Sequence, residues 1–290
     1  MPKVGGSRTT SAIQIDTFGA ALAASEPRPA READRKEKKN YAERLSNRIA
    51  VLVANKLRAT GQFKGEILPY PTGLGREKPI PSGAFNKPKK TDVNYSTLSG
   101  LELLVSIKTL NFRDVKQSPA TFGRYTKNMV RNDHELRAEA MDFHERYPFA
   151  VLAVLFFIPR DACDDGGDEK SSFAHAIMTF RSRAGRQRPD DPPQMFELFY
   201  VGLYDWDGPH RGRVEFFDVM DAPPRRGVPR RLSNIDEVVR RIVGVYGLRN
   251  QLYIPWEDEP VTAPSSAAPE LSAPPTELDT DEEDDDPSIV

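Results

Sequence analysis

Three residues on two neighbouring stretches have the types and spacing for phosphoester chemistry. They are Asp92 in KKTDV and, fourteen residues on, Ser106 and Lys108 in VSIKT. A hard ion such as Mg²⁺ takes one or two carboxylate oxygens and keeps its waters, while a nearby lysine orients the attacking water and offsets phosphate charge. The competing reading is a cross-strand ion pair on a solvated sheet face, which is common and contributes little. Deciding between them requires the register of the two stretches.

The run GLELLVSIKTLNF, residues 100–112, places Leu101, Leu103, Val105 and Ile107 on one parity and Glu102, Leu104, Ser106 and Lys108 on the other. That alternation predicts a strand with an unbroken apolar face. TDVNYST is its hairpin partner. A three-residue loop, Leu98, Ser99 and Gly100, with the glycine left-handed, pairs Thr97 with Leu101, Tyr95 with Leu103 and Val93 with Val105. A two-residue loop would set Asp92 against Ile107 and mix the faces. In the preferred register Asp92 faces Ser106 at about 5 Å between Cβ atoms, and Lys108 is its diagonal neighbour at about 7–8 Å.

Other elements must hold this hairpin. KNYAERLSNRIAVLVANKLRATG repeats Leu45, Ile49, Leu52, Val53 and Leu57 at helical spacing, with Gly61 as a stop signal. A Pro/Gly-rich loop, residues 69–90, separates that helix from the hairpin. A second helix, residues 130–146, buries Leu136, Ala140, Phe143 and Tyr147 and leads into PFAVLAVLFFIP. That apolar run is well short of the roughly 20 residues a spanning helix needs, so it is a buried strand. ELFYVGLYDW and GRVEFFDVM read as two more strands, and NIDEVVRRIVGVYG as a last helix capped by Ser233 with Asp236. This order describes one α/β domain with a mixed central sheet flanked by helices, residues 39–255.

Asp92 with Ser106-Ile107-Lys108 on the paired strand, a helix before the hairpin and a helix and buried strand after it resemble the PD-(D/E)XK nuclease superfamily, the fold of many restriction endonucleases. The resemblance covers residues 39–159. It departs from the pattern twice: Thr91 stands where a proline is usual, and Ser106 where the family carries an acidic residue two positions before the lysine. Some restriction enzymes of the superfamily have serine there and take the missing glutamate from the following helix. The resemblance therefore implies a metal-dependent, restriction-endonuclease-like hydrolase in which Asp92 and a helix glutamate hold Mg²⁺ and Lys108 positions water. On the second helix Glu139 lies about 70° from the buried stripe and Glu135 about 110°, so Glu139 is the first choice. Glu43 on the first helix matches a place where many members carry another acid; a solvated helix face is as good a reading. Glu102 is about 20 Å along the strand from Lys108 and is the poorer ligand.

Contacts to DNA backbone are expected from Tyr125, Lys127 and Arg131, at the entry to the second helix, and from Arg225, Arg226, Arg230 and Arg231 in APPRRGVPRRLS. The four histidines lack metal-ligand spacing, and the glycines make no nucleotide-binding loop. Twelve of the 43 acidic residues fall after residue 256 with no basic residue among them, which leaves the rest at a net charge of about +10. A basic globule suits a polyanion. Residues 1–38, rich in small and charged side chains, and the acidic tail, residues 256–290, are expected to be disordered. The single cysteine, Cys163, excludes an intramolecular disulfide and fits the cytoplasm.

Taken together, these features read as a Mg²⁺-dependent DNA endonuclease, of type II restriction or phage-defence kind, with a cognate DNA methyltransferase encoded nearby as a partner and a homodimer as a compatible assembly. The alternative is a non-catalytic nucleic-acid-binding or assembly protein, with Ser106 marking a decayed site.

Overall fold

Nine consecutive residues, Val151–Pro159, are buried on both faces, as a central strand between two layers of helix demands. This is β6 of the computed structural model, which describes residues 14–71, 80–82, 87–114, 123–166 and 168–250. In chain order the elements are α1 (Phe18–Ala23), α2 (Arg35–Ala59), β1 (Ile67–Leu68), β2 (Ile80–Ser82), β3 (Lys87–Lys89), β4 (Val93–Thr97), β5 (Gly100–Thr109), α3 (Met129–Arg146), β6, α4 (Ser172–Phe180), β7 (Leu198–Tyr204), β8 (Val214–Asp218) and α5 (Ile235–Arg249).

Six strands form one mixed sheet in the order β1-β4-β5-β6-β7-β8. β5, β6 and β7 run parallel, and the outer pairs are antiparallel. The parallel connections need crossovers, which α3 and α4 provide. α2 and α5 pack on one face, around Leu45, Ile49, Val105 and Ile242; α3 and α4 pack on the other, around Leu136, Phe143, Val154 and Phe173. The chain is thus α/β, with a mixed sheet between helical layers. Among the described residues no helix is long and apolar enough to cross a membrane.

Four expectations need correction. Residues 14–38 are folded, not disordered: Ile15, Phe18 and Leu22 are buried, and the Phe18 ring stacks on Phe157 with centroids 5.6 Å apart. Their three- and four-residue spacing makes a short apolar stripe, and Thr17 caps α1 by accepting a hydrogen bond from the Ala20 N–H. Burying that stripe outweighs the small and charged composition around it. The disorder expected for residues 1–13 and for the acidic tail lies outside the described residues. Within the Pro/Gly-rich stretch, β2 and β3 pair antiparallel as a separate two-stranded ladder. Sequence patterning also passed over α4, a single apolar stretch of nine residues too short to show a helical period. At α5 the capping box is Asn234 with Glu237, because Ser233 exchanges two backbone hydrogen bonds with Phe216 and stays extended.

The fourth concerns the hairpin. Val93 pairs with Val105 and Tyr95 with Leu103, as the register argument requires, but Ser96 then pairs with Leu101 and Thr97 with Gly100. The loop is therefore two residues, Leu98 and Ser99, and Glu102 is the extra residue of a β-bulge. Thr97 and Tyr246 donate hydrogen bonds to the Glu102 carboxylate at 2.5 and 2.6 Å. The bulge turns Leu101 to the α3 side, where it packs with Leu104, so the unbroken apolar face is only Leu103, Val105 and Ile107. Gly100, at φ +111°, makes the tight entry into β5.

Candidate functional site

Directly after the bulge, from Tyr95 opposite Leu103, the ladder runs in the register that puts Asp92 next to Ser106. Asp92, immediately before β4, accepts a hydrogen bond from the Ile107 backbone N–H at 2.7 Å through Oδ2. Ser106 is fully buried, because α3 covers this face of the sheet; the face is not solvated. Its hydroxyl donates to Glu139 Oε1. Lys108 Nζ lies 3.7 Å from Glu139 Oε2, with both side chains largely covered. The structure thus brings Asp92, Ser106, Lys108 and Glu139 together at the C-terminal half of β5, three from the hairpin and its entry and one from the crossover helix.

Glu139 reaches the strand because it borders the buried stripe of α3, where Leu136, Ala140 and Phe143 fix the rotation of the helix. Glu135, one turn earlier, is partly exposed and pairs with Arg131 at 2.7 Å. Glu43 is exposed on α2, which covers the opposite face of the sheet. Glu102 is held at the bulge by Thr97 and Tyr246, away from Lys108.

Asp92 and Glu139 flank Ser106, one through the adjacent backbone N–H and one through its hydroxyl. Among the described residues no three His, Cys, Asp or Glu side chains are grouped to hold a metal ion, so the set consists of two carboxylates. Two oxygen donors on rigid elements fit a hard ion such as Mg²⁺, which keeps most of its waters. They do not resemble the closed nitrogen and sulfur set of a structural zinc site.

The expected DNA contacts fare unevenly. Tyr125 is a buried structural residue: its hydroxyl donates to Asp161 at 2.9 Å, and its N–H donates to Ser172 Oγ at 3.0 Å. Burial and the Asp161 charge push its pKa far upward, so it stays a neutral donor whose hydroxyl is already committed to Asp161. A flanking Gly-Arg sequence suggested a surface turn, whereas tertiary packing buries it. Lys127 is exposed, and Arg131 is exposed but paired with Glu135. Arg225 and Arg226 donate to the backbone carbonyls of Asp168 and Glu169, and Arg226 also lies 3.6 Å from the Asp168 carboxylate. Arg230 and Arg231 are exposed.

Sequence reasoning missed the residues just beyond the C-terminal ends of the parallel strands. Asn111 and Arg113 follow β5, Arg160 and Asp161 follow β6, and Asp205 and Trp206 follow β7. They are joined by Arg113–Asp161 at 2.6 Å, Arg160–Asp205 at 3.0 Å and Tyr204 Oη donating to Asn111 Oδ1 at 2.8 Å. In open parallel sheets this is the edge at which ligands bind. Recognising the strands as parallel would have pointed there. No protein family, curated protein sequence or solved structure matches the chain.

Proposed function

We propose that the chain is a Mg²⁺-dependent DNA endonuclease of PD-(D/E)XK type, with a restriction-endonuclease-like core. The observation that supports this most is the approach of Glu139 to Ser106 and Lys108, beside Asp92. A carboxylate from the crossover helix then stands where the strand offers only a serine hydroxyl. When bound, Mg²⁺ supplies charge to stabilise the phosphate and its leaving oxygen. Asp92 is held in place by the Ile107 N–H, and Glu139 by the Ser106 hydroxyl. Lys108 holds its ammonium against Glu139 and is placed to orient the attacking water and offset phosphate charge. The basic surplus of the chain outside its acidic tail suits the DNA partner. The restriction or phage-defence role, with a methyltransferase encoded nearby and action as a homodimer, is the finer part of the proposal.

One observation favours the second reading, a non-catalytic nucleic-acid-binding protein: Glu139 is already engaged by Lys108 and Ser106. Plasmid cleavage with Mg²⁺ against EDTA separates the two. Asp92→Ala and Lys108→Ala should each lower cleavage at least about 100-fold, the lower end for removing a positioned catalytic group. The Lys108–Glu139 pair is long, at 3.7 Å, and Glu139 keeps its hydrogen bond from Ser106, so the Lys108 variant should remain folded. Wild-type rates in either folded variant would reject the assignment.

A further inference from the structure

Asn111, Phe112, Asp161 and Trp206, beyond β5, β6 and β7, line with Glu26, Arg28 and Arg211 a cleft of about 800 Å³. Its size suits a small organic ligand. Two of its arginines are neutralised within the protein: Arg113 pairs with Asp161 at 2.6 Å and Arg211 with Glu26 at 2.5 Å. Arg28 is different. Its guanidinium lies 4.6 Å from the Phe112 ring centroid and 4.3 Å from that of Trp206, and Nη2 donates to the Asn111 carbonyl at 2.7 Å. Among the described residues it makes no ion pair; its other neighbours are the Tyr41 and Tyr204 hydroxyls, neutral groups that leave its charge uncancelled.

A half-buried cation is therefore held by aromatic faces, which stabilise it without cancelling its charge. The guest that matches the wall is flat and aromatic; the guest that matches Arg28 is anionic. A nucleotide is both. Single-strand recognition combines these same elements, aromatic surfaces for bases and cations for the backbone.

Position strengthens the case. Asn111 and Phe112 follow Lys108 by three and four residues, so they lie at most about 10–13 Å from it at strand rise. That equals about three to four steps of a DNA strand at 3.4 Å each. A paired base is shielded within its duplex, whereas an unpaired or extruded one can enter a pocket.

We propose that this cleft receives one unpaired nucleotide of the substrate strand, its base against Phe112 and Trp206 and its phosphate toward Arg28, a few steps from the phosphate at Lys108. The placement beside a scissile phosphate rests on the nuclease reading; the nucleotide chemistry of the cleft rests on Arg28 and its aromatic neighbours.

The test uses the full chain with Trp256→Phe, which leaves Trp206 as its only tryptophan, in EDTA so that no cleavage intervenes. Trp206 emission is followed against a single-stranded 12-mer, a perfect duplex, the same duplex with one unpaired base, and deoxyadenosine monophosphate. The 12-mer and the duplex with an unpaired base should quench saturably, the perfect duplex should not, and the monophosphate should bind at least tenfold more weakly than the 12-mer. Arg28→Met should weaken 12-mer affinity about tenfold or more, and Arg28→Lys should recover only part of it. Unquenched Trp206 at saturating 12-mer overturns the proposal, whether or not the Arg28 variants fold. Equal affinity for the monophosphate overturns the substrate-strand placement in favour of a free-nucleotide site. Plasmid cleavage is scored separately with Mg²⁺: quenching without cleavage rejects the nuclease reading alone, and cleavage without quenching rejects the nucleotide cleft alone.

Discussion

Introducing Ser106→Glu into two backgrounds measures whether a carboxylate has moved from strand to helix. Ser106 is fully buried and its hydroxyl touches Glu139. In the wild-type background the larger side chain has no free volume, and overpacking of this kind costs about 1–3 kcal/mol. It also sets two carboxylates side by side, and like charges so placed resist ionising together. A total near 3 kcal/mol lowers the melting temperature by about 6–12 °C for a domain of this size. Glu139→Ala removes both the obstruction and the second charge, so Ser106→Glu should then cost about 2 kcal/mol less, within the range seen for residues in contact. Thermal melts of the four proteins give the coupling, and cleavage against Mg²⁺ concentration gives the chemistry. Glu139→Ala should lose activity and the double variant should regain part of it, with altered Mg²⁺ dependence because the restored carboxylate points from another element. Costs equal within about 0.5 kcal/mol in both backgrounds would show that the two side chains do not meet, and the argument for a migrated ligand would fall.

Two further tests address what holds the site. The Glu197 carboxylate is buried and accepts from Arg186 Nη1 at 2.7 Å and the Leu152 N–H at 2.8 Å, with Arg249 at 3.1 Å and His144 at 3.4 Å. Glu197→Gln strands Arg186 and Arg249 and should cost about 3–5 kcal/mol in chemical denaturation; an unchanged midpoint would exclude the network as a support of β6 and β7. Burial works to raise the Glu197 pKa, but His144, the Leu152 N–H and Arg186 outweigh it and hold the pKa below 4.5, its ordinary value. Its contribution is therefore full above that value and is lost as pH falls through the lower folded pKa, so the wild type should lose more stability in acid than Glu197→Gln does. Gly100→Ala forces a side chain onto φ +111° and brings its Cβ to 2.6 Å from the Tyr147 ring. A loss of about 1–3 kcal/mol is expected, and a melt unchanged from wild type would contradict the two-residue turn.

Several features were determined by the sequence alone, because they depend on local periodicity. The 3.6-residue repeat of Leu45, Ile49 and Leu52 specifies α2, the stripe of Leu136, Ala140 and Phe143 orients α3, and the continuous apolar run of β6 marks a strand buried on both faces. The order of those elements gives an α/β class, and the pairing of Val93 with Val105 follows from matching apolar faces. The rotation of α3 even ranks Glu139 ahead of Glu135. What pattern could not decide involves residues far apart in the chain. Alternation at Leu101 fails because Glu102 is bulged, held by Tyr246 from α5, 144 residues away. Ser106 looks like a solvated position until α3 covers it. Tyr125 looks like a surface residue until Asp161 and Ser172 close over it. Arg28, in a segment whose composition suggests disorder, finds Phe112 and Trp206 only after the strands align in parallel and present their C-terminal ends on one edge. Periodicity reports which face of an element is apolar; which distant side chain meets that face is set by the packing of the whole sheet.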